Sequence, residues 1–141
     1  MKTIEFGVEL PPRHIDGKWY VAGRCYTDIS LGLVFSLVIQ RKWRAWNPEE
    51  PIPEPDELGR FTTNLRLTEI LSYQKRLDWI GKSMSALLIL IGDGAHLTDN
   101  CLLVGEGYEV DTSKNPIVGA YKITDLPPEF RTESPAMIRA K

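Results

Sequence analysis

Residues 65–103 read LRLTEILSYQKRLDWIGKSMSALLILIGDGAHLTDNCLL, and how this stretch folds decides the architecture of the chain. The run Met84–Ile91 is short, apolar and branched at several positions, and it ends at Gly92-Asp93-Gly94, which makes it a strand closed by a turn. Leu65–Tyr73 allows two readings. Leu67, Ile70, Leu71, Leu77, Ile80 and Met84 fall on one face of a helix. Thr68, Ser72 and Tyr73 favour a strand, and Gly81 would interrupt the helix, so propensity points to a strand followed by a loop. The helix stays open as the alternative over 67–84.

Working outward, the pattern remains that of strands. Ile4, Phe6, Val8 and Leu10 alternate with Glu5, Gly7 and Glu9, the period of a strand with one buried face, and Pro11-Pro12 ends it. Asp16-Gly17 tolerates positive φ and introduces Trp19–Tyr26, in which Gly23 predicts a bulge or a close neighbouring backbone. Thr27–Ser30 reads as a turn, and Leu31–Gln40 as a strand apolar on both faces, hence central or covered. A short strand is expected over Asn100–Val104 and a last one within Pro116–Thr124. The expected fold is all-β: a single Greek-key barrel of six or seven antiparallel strands over residues 1–124. An inserted loop at 47–59 interrupts it, and a loosely ordered tail at 125–141 follows.

Bulk properties narrow the function. The chain has 141 residues, 43% of them hydrophobic, enough for one domain with a real core. Its 17 basic and 19 acidic groups leave a net charge of −2, so no global field attracts nucleic acid or anionic lipid. Cys25 and Cys101 are the only cysteines, in no metal-ligand spacing, which predicts two reduced, partly buried thiols. The N-terminus lacks a signal-type apolar core, and no apolar run approaches the roughly 20 residues that span a bilayer. A soluble, cytoplasmic protein without a membrane contact is expected.

No pattern of catalytic residues emerges. His96 lies near Asp93, Asp99 and Cys101, but a strand-connecting turn accounts for all four, and His14 reads as a loop residue without an evident partner. No G-x-S-x-G accompanies the serines. No catalytic residue, metal site or small-molecule cofactor is assigned. The sharp feature is Arg41-Lys42-Trp43-Arg44-Ala45-Trp46, three cations and two indoles in six residues. Cations meet phosphates and indoles stack on bases, as in single-stranded nucleic acid recognition. Trp and Arg also anchor protein interfaces, and the same residues can simply cover a sheet edge. The candidate binding residues are Arg41, Lys42, Trp43, Arg44 and Trp46. The loop Asn47–Gly59, with four prolines and five acids, follows and can screen them.

The order of these elements resembles the β-barrel second domain of translational GTPases. The resemblance runs through Tyr20-Val21-Ala22-Gly23-Arg24, Ile29-Ser30-Leu31-Gly32, Leu67–Ile80, Met84–Gly92 and Leu102-Leu103, and covers roughly Phe6 to Gly105. It implies a non-catalytic binding module that contacts RNA, a translation component or a neighbouring domain. No G-x-x-x-x-G-K-[ST] loop is present, so GTP hydrolysis does not carry over. Ser83 stands where that family has a glycine before the apolar strand, and Gly32-Leu33 replaces its glycine-acid pair. A small acidic protein-binding or immunity-type protein that docks through 47–59 is the alternative, and an enzyme the least supported reading.

Overall fold

In a computed structural model of the chain, the structure describes residues 2–45 and 47–131. Eleven strands follow one another: β1 (Lys2–Val8), β2 (Arg13–Ile15), β3 (Lys18–Cys25), β4 (Ile29–Ser30), β5 (Val34–Lys42), β6 (Asp56–Ser72), β7 (Lys75–Leu77), β8 (Trp79–Ile80), β9 (Ser85–Gly92), β10 (Leu102–Gly107) and β11 (Ile117–Ala120). Two 3-10 turns, Ile123–Asp125 and Pro128–Phe130, come last. Six strands close a ring in the order β1-β3-β9-β6-β5-β10 and back to β1, every pair antiparallel. Within it β10-β5-β6-β9 has the spatial order of a Greek key. The expected barrel is therefore present with six strands.

The stretch 65–103 is strand throughout its apolar parts. Leu65–Ser72 is the second half of β6, and a hairpin at Tyr73-Gln74, both at positive φ (52° and 64°), turns the chain into β7 where a helix would have continued. The side chains that suggested a helical face divide instead between the two sides of a sheet. Leu67, Ile70, Ile80, Leu88 and Leu90 enter the barrel interior with Ile4, Phe6, Val21, Phe35 and Leu103. Leu71, Leu87 and Ile89 point outward.

That outward face is also buried, and Leu126 and Phe130, from the first residues of the segment expected to be loose, help to cover it. Tyr121, Leu126 and Phe130 pack over Ala22, Leu71, Leu87 and Ile89 as a second apolar layer. The continuous run Ala86–Ile89 is apolar because both of its faces are covered. Residues 132–141 lie outside the described part of the chain.

Other boundaries shift as well. The strand expected from Leu31 begins at Val34, since Gly32 turns the chain at φ 83° while Leu33 still reaches the core. β11 forms within the expected last segment but pairs with β7, outside the closed ring. The proline-rich loop ends at Pro55: Asp56–Gly59 belong to β6 and pair with Gln40–Lys42. Gly23 meets the foreseen close backbone, for a Cβ there would stand 1.9 Å from the Gly7 carbonyl oxygen.

Candidate functional site

β5 and β6 outrun the barrel. The β10 neighbour of β5 ends opposite Ile39, and the β9 neighbour of β6 starts only at Leu65. Beyond those points Gln40–Lys42 and Asp56–Gly59 form a two-stranded arm. Such a ribbon is marginal alone. Here the loop at 93–101 braces its base: Gln40 Nε2 donates to the His96 carbonyl at 3.0 Å, Arg41 Nε donates to the Asn100 carbonyl at 2.9 Å, and the His96 ring stacks on Phe61 with centroids 4.0 Å apart. His96 is thus a brace. His14 also has a partner, stacked on its cross-strand neighbour Trp19 at 4.4 Å.

The basic aromatic run occupies this arm, though its arginines are engaged. The Arg41 guanidinium carbon lies 6.0 Å from the centre of the Tyr26 ring and 5.7 Å from that of Trp43, within cation–π range of both. Tyr26 reaches this place because Gly7 has no side chain: a Cβ on Gly7 would stand 2.4 Å from the tyrosine oxygen. The result is a ladder across the outer face of β1 and β5, with Tyr26, Arg41 and Trp43 as rungs.

Arg44 turns to the opposite strand, where its Nε and Nη2 both donate to Asp56 Oδ1 at 2.8 and 2.6 Å. The bond from Arg44 holds the Asp56 carboxyl below the usual carboxylate range, and Asp56 in turn raises the guanidinium pKa. Arg60 Nε bonds both oxygens of Glu57 at 3.0 Å and lowers that carboxyl in the same way. Lys42 is exposed and sits opposite Asp56 in the ladder. Trp46 lies outside the described residues. The structure therefore brings Arg41, Lys42, Trp43 and Arg44 onto one arm, with acids across the strand from three of them.

With the arginines engaged, the apolar side chains stand out. Trp43 is 44% exposed, Leu58 63% and Ile52 73%. Leu58 owes its position to a bulge: β6 inserts it where Gln40 pairs with Gly59 and Arg41 with Glu57, and a bulge re-aims the side chain it carries. Sequence reading missed Tyr26 as part of this surface and placed Asp56 and Leu58 in the loop at 47–59 where the structure has them on β6. Gly7 within an otherwise regular strand was the available signal for a ring lying across β1.

The remaining chemistry-bearing groups are not assembled. Burial pushes the Cys25 thiol up to about 12 and, with it as the largest cause, raises that of Cys101. Both are free and buried. Among the described residues no group of three or more His, Cys, Asp or Glu side chains is placed to hold a metal ion, and no helix is long and apolar enough to cross a membrane. No protein-family model, curated protein or solved structure matches the chain.

Proposed function

We propose that the chain is a non-catalytic protein-binding module whose docking element is the β5–β6 arm with its proline-rich loop. One observation carries this reading: Trp43, Ile52 and Leu58 project to solvent from an arm whose arginines are already matched to Asp56, Glu57 and two aromatic rings. Exposed apolar anchors beside internally satisfied charges are what a protein interface needs, since little new desolvation is incurred on docking. A phosphate backbone needs free cations, and here Arg44 is neutralised and Arg41 is held between rings. The resemblance to second domains of translational GTPases makes a translation component the first class of partner to try.

The test is affinity capture with the full chain as bait, followed by direct binding to each purified partner. Trp43→Ala plus Leu58→Ala, and separately a deletion of residues 47–55, are expected to abolish at least one interaction while thermal unfolding keeps a single barrel transition. If both variants retain every partner with unchanged affinity, the arm is not the docking element. Titration with a mixed-sequence single-stranded RNA oligonucleotide separates the rival reading. Salt-sensitive affinity that is lost in Trp43→Ala plus Arg44→Ala would replace protein by RNA as the ligand.

A further inference from the structure

The loop at the tip of the arm is constrained by its own covalent structure. Pro51, Pro53 and Pro55 have φ fixed near −65° by their rings. Glu50, Ile52 and Glu54 each precede a proline and are pushed by steric contact into the β or polyproline region. Residues 51 to 55 are thereby directed to an extended, polyproline-like path, and Pro51–Pro55 is neither helix nor strand in the fold. Among the described residues no backbone hydrogen bond ties this segment to the rest of the chain.

Both ends are nevertheless fixed. At the entrance the Asn47 side chain accepts the Glu49 N–H and its carbonyl accepts the Glu50 N–H. At the exit the Arg44–Asp56 pair closes the base of the loop across the two strands. The segment is thus held out as an extended ridge with little conformational freedom left to lose on binding, which is the advantage of a preorganised ligand. With three residues per turn, Ile52 and Pro55 share one edge of it, and Ile52 is 73% exposed.

We infer that Pro51–Pro55 is a polyproline-type recognition segment, and that its partner presents a groove lined by aromatic rings with a basic rim. Aromatic grooves read proline ridges because flat rings pack between the pyrrolidine faces. The basic rim follows from charge: between Arg44 and Arg60 the chain has five acids and no cation. Asp56 and Glu57 are matched by those two arginines, and Glu49 and Glu54 ride on the loop itself. This inference rests on the arm being the docking element and names what it docks into.

The experiment is a titration of the isotope-labelled full chain with purified SH3 and WW domains carrying basic residues beside the groove, followed by amide NMR at about 0.05 and about 0.3 M salt. The Ile52 and Glu54 amides are expected to shift while barrel-core amides stay in place, and the affinity to fall severalfold at the higher salt. Pro51→Ala plus Pro53→Ala, which leaves every charge and every strand intact, is expected to abolish the shifts. If no domain moves the Ile52 and Glu54 amides, or if the double proline variant binds as well as the parent, the inference is overturned. In that event, partners that are still lost when 47–55 is deleted would leave the arm standing as the docking element and remove only the proline reading.

Discussion

Gly7→Ala tests how the aromatic ladder is built. An alanine Cβ at this position would stand 2.4 Å from the Tyr26 oxygen and 2.6 Å from its Cζ. Ordinary carbon contacts need about 3.5 Å or more, so one partner must retreat by about an ångström. β1 is paired on both sides, to β10 and β3, and cannot. The tyrosine ring therefore swings out, which costs about 1 kcal/mol of burial for a side chain already part-exposed. It also costs about 0.5 kcal/mol of cation–π attraction to Arg41. Alanine in a strand returns about 0.5 kcal/mol relative to glycine. The net loss is about 1 kcal/mol.

Urea unfolding followed by circular dichroism measures it, within a double-mutant cycle. In a Tyr26→Ala background the Gly7→Ala cost should disappear or change sign, because the obstructing ring is gone. Gly23→Ala is the control. Its Cβ would meet the Gly7 carbonyl oxygen at 1.9 Å, a backbone atom that cannot swing away, so a loss of about 3 kcal/mol or more is expected in either background. A Gly7→Ala cost that is the same with and without Tyr26 would refute the ladder.

Three further outcomes follow from the packing and charges. Phe130→Ala should destabilise by about 3 kcal/mol in urea, as expected for a buried phenylalanine in a packed layer; a loss below about 0.5 kcal/mol would mean that the second apolar layer contributes nothing. At pH 8 the folded chain should show no fast-reacting thiol and the denatured chain two. The raised Cys25 pKa favours the neutral thiol in the fold, so the associated stability is intact below the ordinary value of 9.0 and declines as pH rises toward about 12; Cys25→Ala should flatten that limb. Carboxyl NMR should give Asp56 a midpoint below the ordinary 3.8 that rises in Arg44→Gln. The contribution of this pair is present above the ordinary value and lost as pH falls through the lowered one.

Much of the barrel was legible because alternation and burial leave a local trace. Ile4, Phe6 and Val8 state the period of β1, and the unbroken apolar run of β9 states that both faces are covered. The helical alternative over 67–84 arose because 3.6-residue spacing can also be produced by a bulged strand. β6 carries an extra residue at Thr68, whose hydroxyl bonds the Ile89 carbonyl, and the slip moves its apolar positions out of strict alternation. Residues 125–130 read as loose because Leu126 and Phe130 are isolated apolar residues among prolines. Only the outward face of β9 and β6 gives them something to cover.

The site divides along the same line. The sequence by itself determined an all-β chain, the cations and indoles of 41–46 and the proline-rich loop that follows them, because φ restriction and strand alternation act between neighbours. Tertiary structure alone decided that Arg44 meets Asp56, that Arg41 lies between Tyr26 and Trp43, and that a bulge presents Leu58 to solvent. Those pairings depend on ring closure, in which β1 meets β10 from about the far end of the chain, and register between such distant segments is set by collective packing with no local signature. The basic run that reads as a phosphate-binding patch in one dimension is thereby converted into a charge-matched, apolar-tipped arm.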